Sequence, residues 1–298
     1  MKIELLLKYL KCPCCNAEDL QKDGKKINCR ICSNVFDITE GVPILIKKEN
    51  LGLQESKQLV FFDKHYSDFS RDEYSLENWR LSMVNRIFDP VVNEKINTYL
   101  DIGCGATGYT VIEAAKRNNW LSFGADISLE AMLRANNLAK KQGLGDMTAF
   151  FVCSAQNLPF QKSSFDYISA VSLLEHLDND KKTIENIHKI LKESGYFYVC
   201  VPNSYKNIWP FLWPLYYYFD HKVGHKRHYS SKNIISKMQK NKLFKLKKLY
   251  YNGHLIKLWQ LFLEKINLID DKYWWQLEKK DINKNPSGMQ LNAIFQKG

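Results

Sequence analysis

The stretch Leu100-Asp-Ile-Gly-Cys-Gly-Ala-Thr-Gly108 narrows the choice of fold more than any other part of the chain. Thr98 to Ile102 is short and apolar, which predicts a buried strand. Gly103, Gly105 and Gly108 predict a tight turn, and Tyr109 to Arg117 has helical spacing. Strand, glycine turn and helix together make a nucleotide cradle: the turn lets a ligand approach the backbone, and the helix N-terminus presents inward-pointing N–H groups. Spacing alone leaves two readings, because Gly103-x-Gly105-x-x-Gly108 also fits the dinucleotide fingerprint. Asp126, at the end of the next apolar run, suits a ribose-binding carboxylate in either case.

With 298 residues and 45% apolar content, the chain can bury a large core as one domain or two. No segment reaches the roughly 18 uninterrupted apolar residues of a membrane-spanning helix. The opening Met-Lys-Ile-Glu is too short and charged for a signal peptide, so a cytoplasmic location is the expectation. The net charge of +11 is unevenly placed. From Asn203 onward there are eighteen Lys and Arg against six Asp and Glu, whereas the rest is nearly neutral. A basic last third favours a polyanion or an anionic membrane surface, or it simply solvates a lysine-rich protein.

Five of the eight cysteines crowd the N-terminus. Cys12-Pro-Cys-Cys15 and Cys29-Arg-Ile-Cys32 form two C-x-x-C pairs separated by thirteen residues that include the turn Asp23-Gly24. Cys12, Cys15, Cys29 and Cys32 can close the tetrahedral shell of a structural Zn²⁺, with Cys14 spare. A redox dithiol is the competing reading. Cys104, Cys153 and Cys200 sit singly in apparent strands as small apolar residues. With Phe36-Asp-Ile and Gly41-Val-Pro-Ile-Leu added, the segment from Leu5 to Ile46 resembles the small zinc-ribbon proteins that activate tRNA, rRNA and protein methyltransferases. The expected organisation is a zinc ribbon over 1–47, a linker and helical segment over 48–97, and a nucleotide-binding domain over 98–298.

Lys47 to Gln54 reads as the linker, and Gln58 to about Asn97 as amphipathic helices that pack on the next domain or close over a cofactor. Strands are expected at Leu121–Ala125, Thr148–Cys153, Tyr167–Val171 and Tyr196–Val201, with helices at Leu129–Lys141 and Lys181–Leu191 between them. That alternation predicts an α/β fold, a doubly wound, Rossmann-like sheet covered on both faces. Irregular insertions are expected at about 203–229 and 252–288, around a helix at Ser231–Gln239 and a strand at Phe244–Tyr251, with a last strand at Met289–Gln296.

Five ordered motifs carry a second resemblance: Tyr99-Leu-Asp-Ile-Gly-Cys-Gly105, Gly124-Ala-Asp-Ile-Ser128, Ala155-Gln-Asn-Leu-Pro-Phe160, Ser164-Phe-Asp-Tyr-Ile168 and Leu174-Glu-His-Leu177. In this order they resemble the class I S-adenosylmethionine-dependent methyltransferases of the type 11 kind. The resemblance implies that Asp101 and the backbone of Gly103, Cys104 and Gly105 cradle the methionine part of S-adenosylmethionine. It implies that Asp126 takes the ribose hydroxyls, that Ile127 packs on adenine, and that Ala155 and Ser172 border the cofactor. Where this family usually has an acidic residue, this chain has Ser154, so Ser154 or a backbone carbonyl is left to meet the adenine amine.

Ligands of such sheets bind beyond the carboxyl ends of the strands, which directs the acceptor to Ser172–His176 and the segment after Pro202. His176, His225 and His228 are the candidate catalytic residues; a structural role is the alternative for His176, and a helix-entry turn for the other two. The aromatic run Ile208 to Phe219 is broken by Pro210 and Pro214 and suits a headgroup region, stacked bases or a buried insertion. The leading expectation is a methyltransferase for a small or lipid-linked acceptor, with peripheral contact to an anionic membrane. An RNA methyltransferase and an inactive binding module are the rivals.

Overall fold

The computed structural model describes residues 1–47, 49, 51–67, 74–266 and 268–298. Parts of the expected linker (48 and 50), of the expected helical stretch (68–73) and of the second insertion (267) lie outside the described residues. The chain opens with one helical turn, α1 (Ile3–Leu6), and an antiparallel sheet in the order β1 (Leu20–Asp23), β2 (Lys26–Cys29), β3 (Val35–Thr39), β4 (Val42–Pro43). Alternation fixes its inner face, since Phe36 and Ile38 of β3 are buried while Val35 and Asp37 are exposed. Two helices follow, α2 (Leu53–Ser67) and α3 (Asn78–Phe88).

Strand and helix then alternate: β5 (Thr98–Ile102), α4 (Tyr109–Asn118), β6 (Leu121–Asp126), α5 (Leu129–Lys141), β7 (Thr148–Val152), β8 (Phe165–Val171), α6 (Asp180–Ile190), β9 (Leu191–Pro202). After α7 (Trp213–Val223), α8 (Ser231–Gln239), β10 (Phe244–Asn252), α9 (Leu255–Lys265) and α10 (Asp271–Asp281), β11 (Gln290–Lys297) closes a seven-stranded sheet. Its order is β10-β11-β9-β8-β5-β6-β7, with β11 antiparallel to both neighbours and β5 through β9 parallel. The connections run outward in opposite directions from β5 and β8, so the crevice for a ligand opens above these two strands. Every residue of β5 and β7 is buried, because both faces of the sheet are covered at these strands.

The insertion expected to be irregular contains α7, and the one after Asn252 contains α9 and α10. Pro214 stands in the first turn of α7, where a helix needs no N–H donor, so the proline starts the element that it had seemed to interrupt.

The N-terminal sheet is continuous with the core of the large one. Lys11 N–H donates to Pro159 O (3.0 Å), Leu45 N–H donates to Val152 O (2.8 Å), and the Tyr9 ring packs 4.8 Å from Phe123. Leu10, Leu20, Ile27 and Phe36 belong to the same buried cluster as Phe151, Phe160 and Phe165. On the opposite face Val84, Ile87 and Phe88 of α3 pack against Tyr99, Trp120 and Tyr167, as expected of a packing helix.

Candidate active site

Gly103 ends β5 in the left-handed region (φ +78°), and Gly103 and Cys104 both donate backbone N–H groups to Ala125 O, at 2.7 and 3.2 Å. Gly108 starts α4 at φ +50°, and a Cβ there would lie 2.8 Å from Phe150 and 2.9 Å from Ala135. Glycine is therefore required twice over at 108, by backbone conformation and by the approach of α4 to the sheet. The turn is pinned to the next strand by Asp126: its Oδ2 accepts the Gly105 N–H (3.1 Å) and its Oδ1 the Ser128 N–H (3.1 Å). Burial raises the Asp126 carboxyl above its ordinary range, and these N–H groups oppose that rise.

Above the turn lies a cavity of about 820 Å³. Gly103, Asp126, Ile127, Ala155 and Ser172 line it, as the sequence suggested. Ser172 holds a left-handed backbone (φ +49°) where β8 ends, a strained conformation at the rim of the site. Asp101, Cys104 and Ser154 stand behind the wall. The Asp101 carboxylate is buried and accepts hydroxyl bonds from Ser169 (2.5 Å) and Thr110, so it braces β5 against β8 and α4. Burial pushes it up to about 6 despite those two hydroxyls. The Gly105 backbone lies under the Tyr66 hydroxyl, 3.1 Å from where a Cβ would sit.

The near wall comes from α2, through Glu55, Gln58, Phe62 and Tyr66. Ser154 donates its hydroxyl to Glu55, so a carboxylate reaches the place where the sequence offered only serine. The cover anticipated for 58–97 is therefore α2, whereas α3 packs against the sheet.

At the far end stand Glu175, His176, Tyr216, Asp220, His225 and Lys257. Asp220 of α7 organises the group, accepting from His225 Nδ1 (2.7 Å), His228 Nε2 (2.6 Å) and the Tyr205 hydroxyl (2.5 Å). Burial alone would raise the Asp220 carboxyl, but these donors outweigh it and hold it below the ordinary range. His228 also reaches Asn203 O through Nδ1 (2.6 Å); both its nitrogens are engaged, and it orients Asp220 from behind the cavity wall. The His176 and His225 rings meet at 4.8 Å. Burial lowers the His176 ring to about 4, with His225 adding to the effect, and it lowers His225 against the pull of Asp220. Burial, with Asp220 adding to it, pushes Glu175 up to about 8. Asp220 and Glu55 were not singled out from sequence, each lying on a helix far along the chain from the glycine turn; Tyr66 belongs to the aromatic pattern read as a helix that packs on the next domain or closes over a cofactor.

At the N-terminus, Cys12, Cys15, Cys29 and Cys32 bring their sulfurs within 4.8 Å of one another, with Cys12···Cys32 and Cys15···Cys29 both at 3.6 Å. A Zn–S bond of about 2.3 Å gives a tetrahedral edge of about 3.8 Å, so the set fits zinc. The Asn34 amide donates to Cys32 Sγ (3.2 Å) and Cys14 N–H to Cys12 Sγ (3.4 Å), as partners beyond the ligands of a metal do.

Residues 100–199 match the methyltransferase domain family. Norajmaline N-methyltransferase of Rauvolfia serpentina is 33% identical over 110 residues, 37% of each chain. The 27-O-demethylrifamycin SV methyltransferase of Amycolatopsis mediterranei is 28% identical over 131 residues, 44% of this chain and 48% of that one. The chain thus spans less than half the length of these curated relatives. Among solved structures, geranyl diphosphate C-methyltransferase from Streptomyces coelicolor A3(2), in complex with Mg²⁺, geranyl diphosphate and S-adenosyl-L-homocysteine, aligns with a TM-score of 0.59 at 11% identity. The alignment covers 81% of this chain and 98% of that one. This likeness establishes the methyltransferase fold, a seven-stranded doubly wound sheet here joined to a zinc-ribbon-like N-terminal unit.

Proposed function

We propose that the chain is an S-adenosylmethionine-dependent methyltransferase whose acceptor is a small or lipid-linked molecule, and that its four N-terminal cysteines hold a structural Zn²⁺. The observation that carries the first part is the single cavity running from the Gly103 and Asp126 cradle to the wall of Tyr216, His225 and Lys257, which gives donor and acceptor one enclosed space. When bound, S-adenosylmethionine supplies an electrophilic methyl group. The cradle fits it, with a carboxylate for the ribose at Asp126, an apolar flank at Ile127 and bare backbone at Gly103. Ser172, His176 and His225 face the acceptor half, while Asp101 and His228 act as positioning residues behind it.

Glu55 would take the adenine amine in place of the acidic residue missing at 154. Glu55→Ala is expected to weaken S-adenosylhomocysteine about tenfold, one lost charge-assisted hydrogen bond, read by isothermal titration. Unchanged affinity would remove Glu55 from the cofactor site.

The lipid-linked reading draws on the surface around the cavity mouth. Phe211 (65% exposed), Tyr217 (71%), Tyr218 (66%), Trp259 and Phe262 stand out on α7, α9 and the turn before α7, with the exposed Lys222 on α7. Among the described residues no helix is long and apolar enough to cross a membrane, so the contact proposed is peripheral. The protein is expected to co-sediment with vesicles containing phosphatidylglycerol, to do so less with pure phosphatidylcholine, and to pass label from methyl-labelled cofactor into a lipid extract. Turnover of soluble acceptors without vesicle binding would remove the lipid element and leave the small-molecule one.

A further inference from the structure

Glu175 is the least satisfied polar group of the site. Its side chain is fully buried, and neither carboxylate oxygen has a hydrogen-bond partner among the described residues. It lies in the short turn Leu174–His176 after β8, which is fastened to the loop after α7 by the Lys226 N–H donating to Glu175 O (2.9 Å). A bare carboxylate held in an apolar interior is costly unless a cation or donor meets it.

Two imidazoles stand beside it. His225 Nε2 is 3.9 Å from Glu175 Oε1, too long for a hydrogen bond, and about 0.5 Å beyond the roughly 3.4 Å edge of a tetrahedral site with bonds of about 2.1 Å, a gap that a small side-chain movement closes onto one ion. The other His225 nitrogen, Nδ1, is held by the Asp220 carboxylate at 2.7 Å. His176 Nδ1 is buried with no hydrogen-bond partner among the described residues, and its ring is packed edge-on between Phe62 (5.9 Å) and His225 (4.8 Å). His225 is therefore oriented by a second partner, a carboxylate, as the histidines of metal sites are, while His176 is fixed by ring packing. One ligand atom each from Glu175, His176 and His225 falls within 4.8 Å of the others, and all three residues line the cavity.

We propose that Glu175, His176 and His225 bind a divalent transition-metal cation, with Asp220 orienting His225. Two imidazoles and one carboxylate suit Mn²⁺, Fe²⁺, Co²⁺ or Zn²⁺ better than the all-oxygen preferences of Mg²⁺ and Ca²⁺. The ligands occupy one side, which leaves coordination positions open toward the acceptor half of the cavity. There the ion would grip an oxygen of the acceptor. That consequence rests on the methyl-transfer reading; binding of the cation does not.

The test uses the full chain with its N-terminal cysteines loaded with zinc, titrated with Mn²⁺ and followed by loss of the free-ion electron paramagnetic resonance signal. Mn²⁺ does not compete for four thiolates, so the ribbon stays zinc-bound. One Mn²⁺ is expected per chain. Glu175→Gln, which keeps the shape of the buried group, and His176→Ala are each expected to weaken it at least thirtyfold, and Asp220→Asn about tenfold. Titration with S-adenosylhomocysteine and far-ultraviolet circular dichroism check that Glu175→Gln remains folded. Absence of Mn²⁺ binding by the wild-type chain, or binding equally tight in folded Glu175→Gln, would overturn the site, whereas loss of cofactor binding alone would bear only on the methyl-transfer reading.

Discussion

Replacing Asp126 by alanine is expected to lower affinity for S-adenosylmethionine and S-adenosylhomocysteine by at least a hundredfold, measured by isothermal titration. Two losses combine. The carboxylate lines the cavity at the end of β6, where two adjacent ribose hydroxyls would each donate to it, and charge-assisted bonds of that kind contribute about 1.5–3 kcal/mol apiece. It also holds the glycine turn through the Gly105 and Ser128 N–H groups, so its removal loosens the backbone that faces the methionine part. Asp126→Asn separates the effects. The amide oxygen retains one backbone bond but brings no charge, and an intermediate loss of about tenfold is expected. Wild-type affinity in folded Asp126→Ala would mean that the cofactor does not lie over this strand end.

What the sequence made legible was whatever local chemistry decides. The bounds of α5 and α8 follow from serines placed to cap them: Ser128 accepts the Ala131 N–H at 3.1 Å and Ser230 the Asn233 N–H at 3.2 Å, and both helices begin at the next residue. The Gly103 and Asp126 pair was legible because turn geometry and ribose chemistry each demand one residue type. α7 was not, because Pro210 and Pro214 read as breaks until the chain is seen to start a helix over them. With that helix went Asp220, which sits among tyrosines and carries no local signal of its role. Glu55 was hidden for another reason: it answers the serine at 154 from 99 residues away, a pairing that only tertiary packing creates. Glu175 stood in a recognised motif, yet the emptiness around its carboxylate depends on how the loop after α7 folds over it, and no spacing of residues encodes that.

Stripping the Zn²⁺ proposed for Cys12, Cys15, Cys29 and Cys32 is expected to destabilise the whole chain. If the ribbon were an appendage, chelation would melt it alone and leave the large sheet intact. Its residues instead share one buried cluster with β6 to β8: Cys12, Leu20, Ile27 and Phe36 with Phe123, Phe151 and Phe165. The Leu45 N–H closes the edge of that sheet at Val152 of β7, and the Lys11 N–H joins the β7–β8 connection at Pro159. A four-thiolate zinc site contributes about 10–16 kcal/mol to ordering a small domain on its own, and part of that is transmitted wherever the two share a core. A strong chelator, or Cys29→Ser, is therefore expected to lower the thermal midpoint by more than about 10 °C in a single transition, since each 1 kcal/mol shifts a chain of this size by about 2–4 °C. Zn²⁺ should restore the chelated protein but not the variant, and release of one zinc per chain by a thiol-blocking reagent gives a readout that needs no activity. Cys14→Ser is the control, because Cys14 is exposed and its side chain lies outside the four-sulfur cluster; its midpoint should not move. A chelated protein that melts where the native one does would show that the four sulfurs do not hold the ribbon together. Two separate transitions would show instead that the shared core does not couple ribbon to sheet. The single transition is the expected result because Cys12 and Cys29 are themselves buried within that core, so the ligands cannot be released without opening it.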